Sequence, residues 1–176
     1  MAAPTRTDSA STFARDKWVW VPTIATPTGP KISEVTGGST LDVSCYLFDE
    51  ADKPTVESNR VTRKRRLCDK TQEEGFGVVK YNGGTLRYAV SPQAAAGSPG
   101  KKAFETLTAG TTGYLLRRMD LPVETDLALG HFVNLYRVTL DVAHIEPIGD
   151  GEDAEASVAQ DYVIVGTPVQ NVAIVS

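Results

Sequence analysis

A chain of 176 residues with 22 Asp and Glu against 18 Lys and Arg carries a formal charge of -4, which argues against general attraction to nucleic acid or an acidic membrane. Its 41% hydrophobic and 23% charged residues fit one globular domain, with or without arms, large enough to bury a real core. No apolar run approaches the ~18 residues of a spanning helix and the first residues lack the apolar stretch of a secretion signal, so neither a membrane-spanning nor a secreted protein is expected.

Residues 1–16 are polar, contain Pro4 and show no periodicity; they read as an arm that a partner orders, with residues 17–176 as the folded domain. The segment 17–25, Lys-Trp-Val-Trp-Val-Pro-Thr-Ile-Ala, reads as a strand with Trp18 and Trp20 on one side and Val19 and Val21 on the other. Two tryptophans are costly to leave wet, so they anchor either the core or a subunit interface. After breaks at Pro27, Gly29, Pro30 and Gly37-Gly38, residues 40–47 alternate cleanly. Leu41, Val43, Cys45 and Leu47 are expected inside, with Asp42, Ser44 and Tyr46 outside. Cys45 and Cys68 are too few for a disulfide framework or a four-ligand zinc site and are expected as reduced, core-filling thiols.

Residues 59–68 form the most basic stretch and read as a strand. Arg63 and Arg65 would share one face, and Arg60, Lys64 and Arg66 the other. A nucleic-acid stripe would put the charge on one side and interleave aromatic residues for base stacking. The stretch therefore fits better as an edge strand guarded by charge, or as a set of partners for acidic groups on a neighbouring copy. Residues 78–90 follow as a strand with Leu86, Tyr88 and Val90 on one face, interrupted at Asn82-Gly83-Gly84 by a hairpin turn or a bulge.

The one convincing helix lies within 98–110. Ser98 can accept a first-turn N–H, Pro99 sits where its missing N–H costs nothing, and Gly110 can end the helix in the left-handed conformation. Ala103, Phe104 and Leu107 share its apolar face. Strands are expected at 111–118 and 131–141, the latter with Phe132, Tyr136, Val138 and Leu140 on one face, around a loop at 123–130 with weak helical tendency. An acidic loop at 147–156 carries Asp150, Glu152, Asp153 and Glu155, and apolar strands at 158–165 and 169–175 close the chain. The fold class is mainly β, a two-sheet sandwich or open barrel with one short flanking helix and an extended N-terminal arm.

No catalytic set emerges. His131 and His144 form no His-x-x-x-His pair, and the acidic loop lacks the spacing of a calcium loop. Gly75-Phe76-Gly77 is followed by no Lys-Ser/Thr, and there is no Gly-x-Ser-x-Gly. Neither an enzyme nor a cofactor or metal is expected. What remains is more strand-pairing capacity than a monomer needs, and open strand edges recruit other chains.

Four collinear segments carry a resemblance: 17–25 as quoted, Asp-Val-Ser-Cys-Tyr-Leu at 42–47, Val-Thr-Arg-Lys-Arg-Arg-Leu-Cys at 61–68, and Lys-Ala-Phe-Glu-Thr-Leu-Thr-Ala-Gly-Thr-Thr-Gly-Tyr at 102–114. With Val-Gly-Thr-Pro-Val-Gln-Asn-Val-Ala-Ile-Val at 165–175, the chain resembles the major tail (tail tube) proteins of long, flexible-tailed bacteriophages infecting actinobacteria. The resemblance implies a virion protein, assembled in the host cytoplasm into stacked hexameric rings around a channel for the genome. Tape-measure and terminator proteins would be its other partners, and DNA would pass without specific binding. If each copy gave four strands to a shared barrel, about 24 strands spaced ~4.8 Å and tilted ~40° would enclose a backbone diameter of roughly 48 Å. Trp18, Trp20, Arg60, Arg63, Lys64, Arg65, Arg66, Phe104, Asp150, Glu152 and Asp153 are the candidate subunit-interface residues. The alternatives are a nucleic-acid-binding module built on Arg60 to Arg66, or a terminator or joining protein of similar fold.

Overall fold

The computed structural model describes residues 14–176, so the expected arm lies, for residues 1–13, outside the described residues. Among the described residues the elements are β1 (Lys17–Val21), α1 (Ile32–Val35), β2 (Leu41–Asp42), β3 (Thr55–Thr62), β4 (Glu74–Asn82), β5 (Gly84–Ala89), α2 (Pro99–Thr106), β6 (Thr112–Arg118), β7 (Phe132–Ile148), a 3-10 turn (Gly151–Asp153), β8 (Glu155–Ile164) and β9 (Val169–Ala173). Among the described residues, seven strands form one antiparallel sheet in the order β2-β1-β6-β7-β8-β5, with β9 against β7, and β3 and β4 pair only with each other. The sheet curls into a half-barrel flanked by α2, the mainly β architecture expected, in its open-barrel form.

All five residues of β1 are buried, since the strand has packed sheet faces on both sides. Trp18 and Trp20 point into the larger core with Leu86, Tyr88, Leu115, Val138 and Val158, while Val19 and Val21 join a second core with Val35, Leu116, Val133 and Ile174. The period of two in the sequence thus divides one strand between two cores. Gly113 makes room for the larger indole: a Cβ there would fall 2.6 Å from the Trp20 ring and 3.1 Å from the Val21 carbonyl. Inside the barrel the Gln160 side chain, fully buried, donates to the carbonyls of Leu107 (3.0 Å) and Asp141 (2.8 Å) and accepts from the Tyr88 hydroxyl (3.1 Å). It satisfies groups that the end of α2 and a bulge in β7 would otherwise leave unpaired.

Helix α2 stops four residues before Gly110, which has φ +76 and lies in the turn to β6. Ser98 does not cap with its side chain; its Oγ donates to the Ala95 carbonyl, and its own carbonyl accepts the N–H groups of Lys101 and Lys102. A second, one-turn helix, α1, escaped the sequence reading. Glu34 accepts the backbone N–H groups of Ala25 and Lys31, and these two bonds hold its carboxyl below the usual range.

The strand expected at 40–47 is only two residues long. After Asp42 the chain turns, leaving Cys45 exposed and Leu47 half-buried, because the Asp42 and Ser44 side chains take over backbone bonding. Cys45 and Cys68 are both exposed free thiols, not core residues. Burial works against the charge of Asp42, but bonds from the Lys17 ammonium (2.8 Å) and from Ser44 outweigh it and keep the carboxyl below its usual pKa. A depressed folded-state pKa gives stability that is present above the unfolded value and lost as pH falls through the folded one. Asp42→Asn should therefore lower urea stability at neutral pH, and the gap to wild type should close as pH falls below the ordinary carboxylate range.

The basic strand expected at 59–68 begins and ends earlier, as β3, so that only Arg60 of the cluster lies in it; Arg63, Lys64, Arg65 and Arg66 belong to the loop that joins it to β4. Asn82-Gly83-Gly84 is neither hairpin turn nor in-strand bulge: β4 pairs with β3 and β5 with β8, and Gly83 is the junction between the two sheets. Strand β7 runs seven residues beyond the expected Asp141.

Candidate assembly surfaces

Strands β3 and β4 form a long hairpin whose β3 residues are all exposed. Its register breaks once, where Ser58 pairs with Val79 but Arg60 with Phe76, so Asn59 faces both Gly77 and Val78. That bulge adds twist to an arm with little packed on either face. Phe76 is 82% exposed and Val78 79%, and Val56, Val61 and Val79 are about half exposed. A β-branched and aromatic hairpin is built to be covered, since large apolar groups gain most from burial and two strands alone are marginal in water. At its tip Arg63, Lys64, Arg65 and Arg66 are exposed; Arg63 reaches Glu73 at 3.7 Å.

The other projection is the far half of β7 with β8. Leu140 pairs with Tyr162 and Ala143 with Gln160, so Asp141 and Val142 bulge opposite Asp161. Strand β6 ends its pairing with β7 at Thr139, which leaves the β6 side of β7 without a strand partner from 143 to 148 among the described residues. Pro147 is tolerated there, on a strand with one open side. Val142, Ile145 and Val163 are exposed on this arm, and Asp150, Glu152 and Asp153 lie exposed at its tip.

Where residues 14–16 meet the body, Asp16 takes two hydrogen bonds of 2.7 Å from Arg117, whose pKa they raise against the opposing effect of burial. The same guanidinium lies 5.1 Å over the Trp18 ring, and Trp18 stacks on Tyr136 at 6.3 Å. Arg118, one residue on, is buried and donates to the carbonyls of Leu121, Pro122 and Thr125. Together these bonds fix the loop after β6 beside the root of the N-terminal segment. Among the described residues no group of three or more His, Cys, Asp and Glu is placed to hold a metal ion.

The family model described as phage tail tube protein matches residues 4–176. The chain belongs to the phage tail tube protein family.

One chain of the anti-feeding prophage baseplate, determined by cryo-EM and 6-fold symmetrised, shares the fold with a TM-score of 0.52 at 9% identity, over 97% of this chain and 98% of that one. The SPP1 tail tube subunit is similar with a TM-score of 0.49 at 15% identity, over 92% and 79% of the two chains. No curated protein matches the sequence. A phage tail tube protein is a structural component of the tail, so the residues to look for are those that face other copies.

The candidate interface residues divide by burial. Trp18 and Trp20 are only 7% and 1% exposed, so of the two roles open to them they fill the core one and offer a neighbour little surface. Phe104 is half-buried against the larger core, as part of the α2 face that covers it. Arg60, Arg63, Lys64, Arg65 and Arg66 gather on one arm of this tail tube protein, and Asp150, Glu152 and Asp153 on the other. Sequence reading missed the apolar residues of the first arm. Their signal was present in Gly-Phe-Gly-Val-Val at 75–79 and in the β-branched Thr55, Val56, Val61 and Thr62, but the basic run drew the strand boundary forward.

Proposed function

We propose that the chain is the repeating subunit of a phage tail tube, assembling with itself into hexameric rings that stack around a channel for the genome. The observation that carries this reading is the β3–β4 hairpin, with two strand edges unpaired among the described residues and Phe76 82% exposed. A monomer that keeps such an arm in water is exposed to aggregation, whereas a tube subunit has a neighbour to cover it. The open side of β7 between 143 and 148 offers a second edge for sheet extension within a ring. Interfaces of this kind should bury more than ~1,000 Å². Six copies accord with the symmetry of the baseplate whose chain has this fold.

On this reading the subunit works in the virion tail after assembly in the host cytoplasm. Tape-measure and terminator proteins meet the tube at its inside and end, and DNA passes without specific binding. The motifs at 17–25, 42–47, 61–68 and 102–114 are the support for a long-tailed phage of an actinobacterial host. Family membership favours the tube over a nucleic-acid-binding module or a terminator. Negative-stain microscopy of the purified protein tests it: rings and tubes of uniform width are expected, and particles that remain single subunits at every concentration would contradict it.

A further inference from the structure

The charge of this chain is segregated along its length. Between 60 and 70 stand six Lys and Arg against one Asp, whereas from 138 to 176 there are seven carboxylate side chains and no Lys or Arg. The fold turns this into two tips of opposite sign. The basic one is the loop between β3 and β4, where Lys64, Arg65, Arg66 and Lys70 make no ion pair among the described residues and Arg63 makes one, exposed and 3.7 Å long. The acidic one is the turn between β7 and β8, where Asp150, Glu152, Asp153 and Glu155 are exposed and likewise without an ion pair among the described residues.

The register places these tips at opposite ends of one strand. Ala89, the last residue of β5, pairs with Ser157, two residues from Glu155 and the acidic turn. Gly84, its first residue, follows Gly83 and β4, which leads to the basic loop. The two clusters therefore leave the body in different directions. A surface that is complementary not to itself but to another patch at the far end makes heterologous contacts, and these propagate from copy to copy until they close a ring or extend a filament.

We infer that the basic β3–β4 tip of one copy docks on the acidic β7–β8 tip of a second copy, and that this charge pairing directs the register of assembly. The inference rests on the self-assembly reading and names the contact within it. Opposite charges steer encounter and penalise wrong registers, because like tips brought together repel. The occupant is another copy of this chain, not duplex DNA: the carboxylates that match the cations are supplied by the chain itself, and every neutralised phosphate would retain a genome that has to pass. The tips project from the sheet without packing into either core, so their charges can be reversed without disturbing the fold.

The test uses two full-length variants, one carrying Lys64→Glu, Arg65→Glu and Arg66→Glu, the other Asp150→Lys, Glu152→Lys and Asp153→Lys, so that each reverses the net sign of its tip, and each is checked for wild-type thermal unfolding. Each alone should leave at least tenfold less sedimentable polymer than wild type, since both its tips then have the same sign. Their equimolar mixture should recover wild-type assembly, alternating the two chains, and should lose the recovery in about 1 M salt, where the screening length is about 3 Å. Wild-type assembly by either variant alone, or a mixture no better than its parts, would overturn the pairing. So would tubes that form normally from the Lys64→Glu/Arg65→Glu/Arg66→Glu variant while wild-type retention of duplex DNA is lost, which would make the basic tip a nucleic-acid site. Should wild type itself form no tubes, the tube reading falls separately. Sedimentation velocity of the mixture at low salt then decides the tips, with pairwise association upholding them and its absence refuting them.

Discussion

Removing residues 57–80 and joining the ends with a short Gly-Ser linker should abolish polymer formation while leaving the body folded. Val56 and Tyr81, the ends that the cut leaves, are directly opposite in the hairpin ladder, so they lie about 5 Å apart and a few residues close them without strain. Strands β3 and β4 belong to neither core, and the seven-stranded sheet keeps every one of its pairings. The expected change in melting temperature is within ~4 °C, the size of a 1 kcal/mol effect in a domain of this length. Loss of sedimentable polymer should exceed tenfold. Normal tubes from the shortened chain would remove the hairpin from the mechanism, and an unfolded body would show that the arm belongs to the core after all.

The largest stability effect is expected at Gly83. A Cβ at this junction would fall 1.9 Å from the carbonyl oxygen of Tyr162 and 3.1 Å from the Cα of Val163, both backbone atoms with nowhere to swing. Gly83→Val must therefore push the start of β5 away from β8, breaking the Gly84 to Tyr162 pairing and loosening the Tyr162 hydroxyl from the Asp52 carbonyl. A cost of about 3 kcal/mol follows, or a fall in melting temperature of roughly 6–12 °C. Gly38→Val is the matched control, since a Cβ there meets nothing within 4 Å. Equal melting of the two variants would show that the junction is not the tight point that the geometry makes it.

The body of this fold was legible because its strands obey simple periodicity. In β1 the alternation put Trp and Val on opposite sides, which the two cores bear out, and Leu86 and Tyr88 of β5 with Val90 just after it marked a buried face. The arms were not legible to the same degree, and the reason is physical. A hairpin that packs on neither core has no inside, so its apolar residues follow no single-chain burial pattern, and Phe76 stands between two glycines with 82% of its surface exposed. Phe132 shows the same effect within a strand, sharing the face of Tyr136 and Val138 yet standing 59% exposed. The short β2 failed for a different reason. Local bonds from Asp42 and Ser44 compete with the ladder and turn the chain out of the sheet, leaving Cys45 in solvent where alternation had placed it inside. The Asp16 to Arg117 pair spans 101 residues and leaves no mark in local sequence.

Hydrogen exchange of backbone amides, compared between the free subunit and the assembled tube, tests most directly whether neighbouring copies close what one copy leaves open. The account predicts fast exchange in β3, β4 and residues 143–148 of β7 in the free subunit and strong protection of the same amides in the tube, with β1 and β6 slow in both. Equal exchange of the hairpin in the two states, or protection already complete in the free subunit, would contradict it.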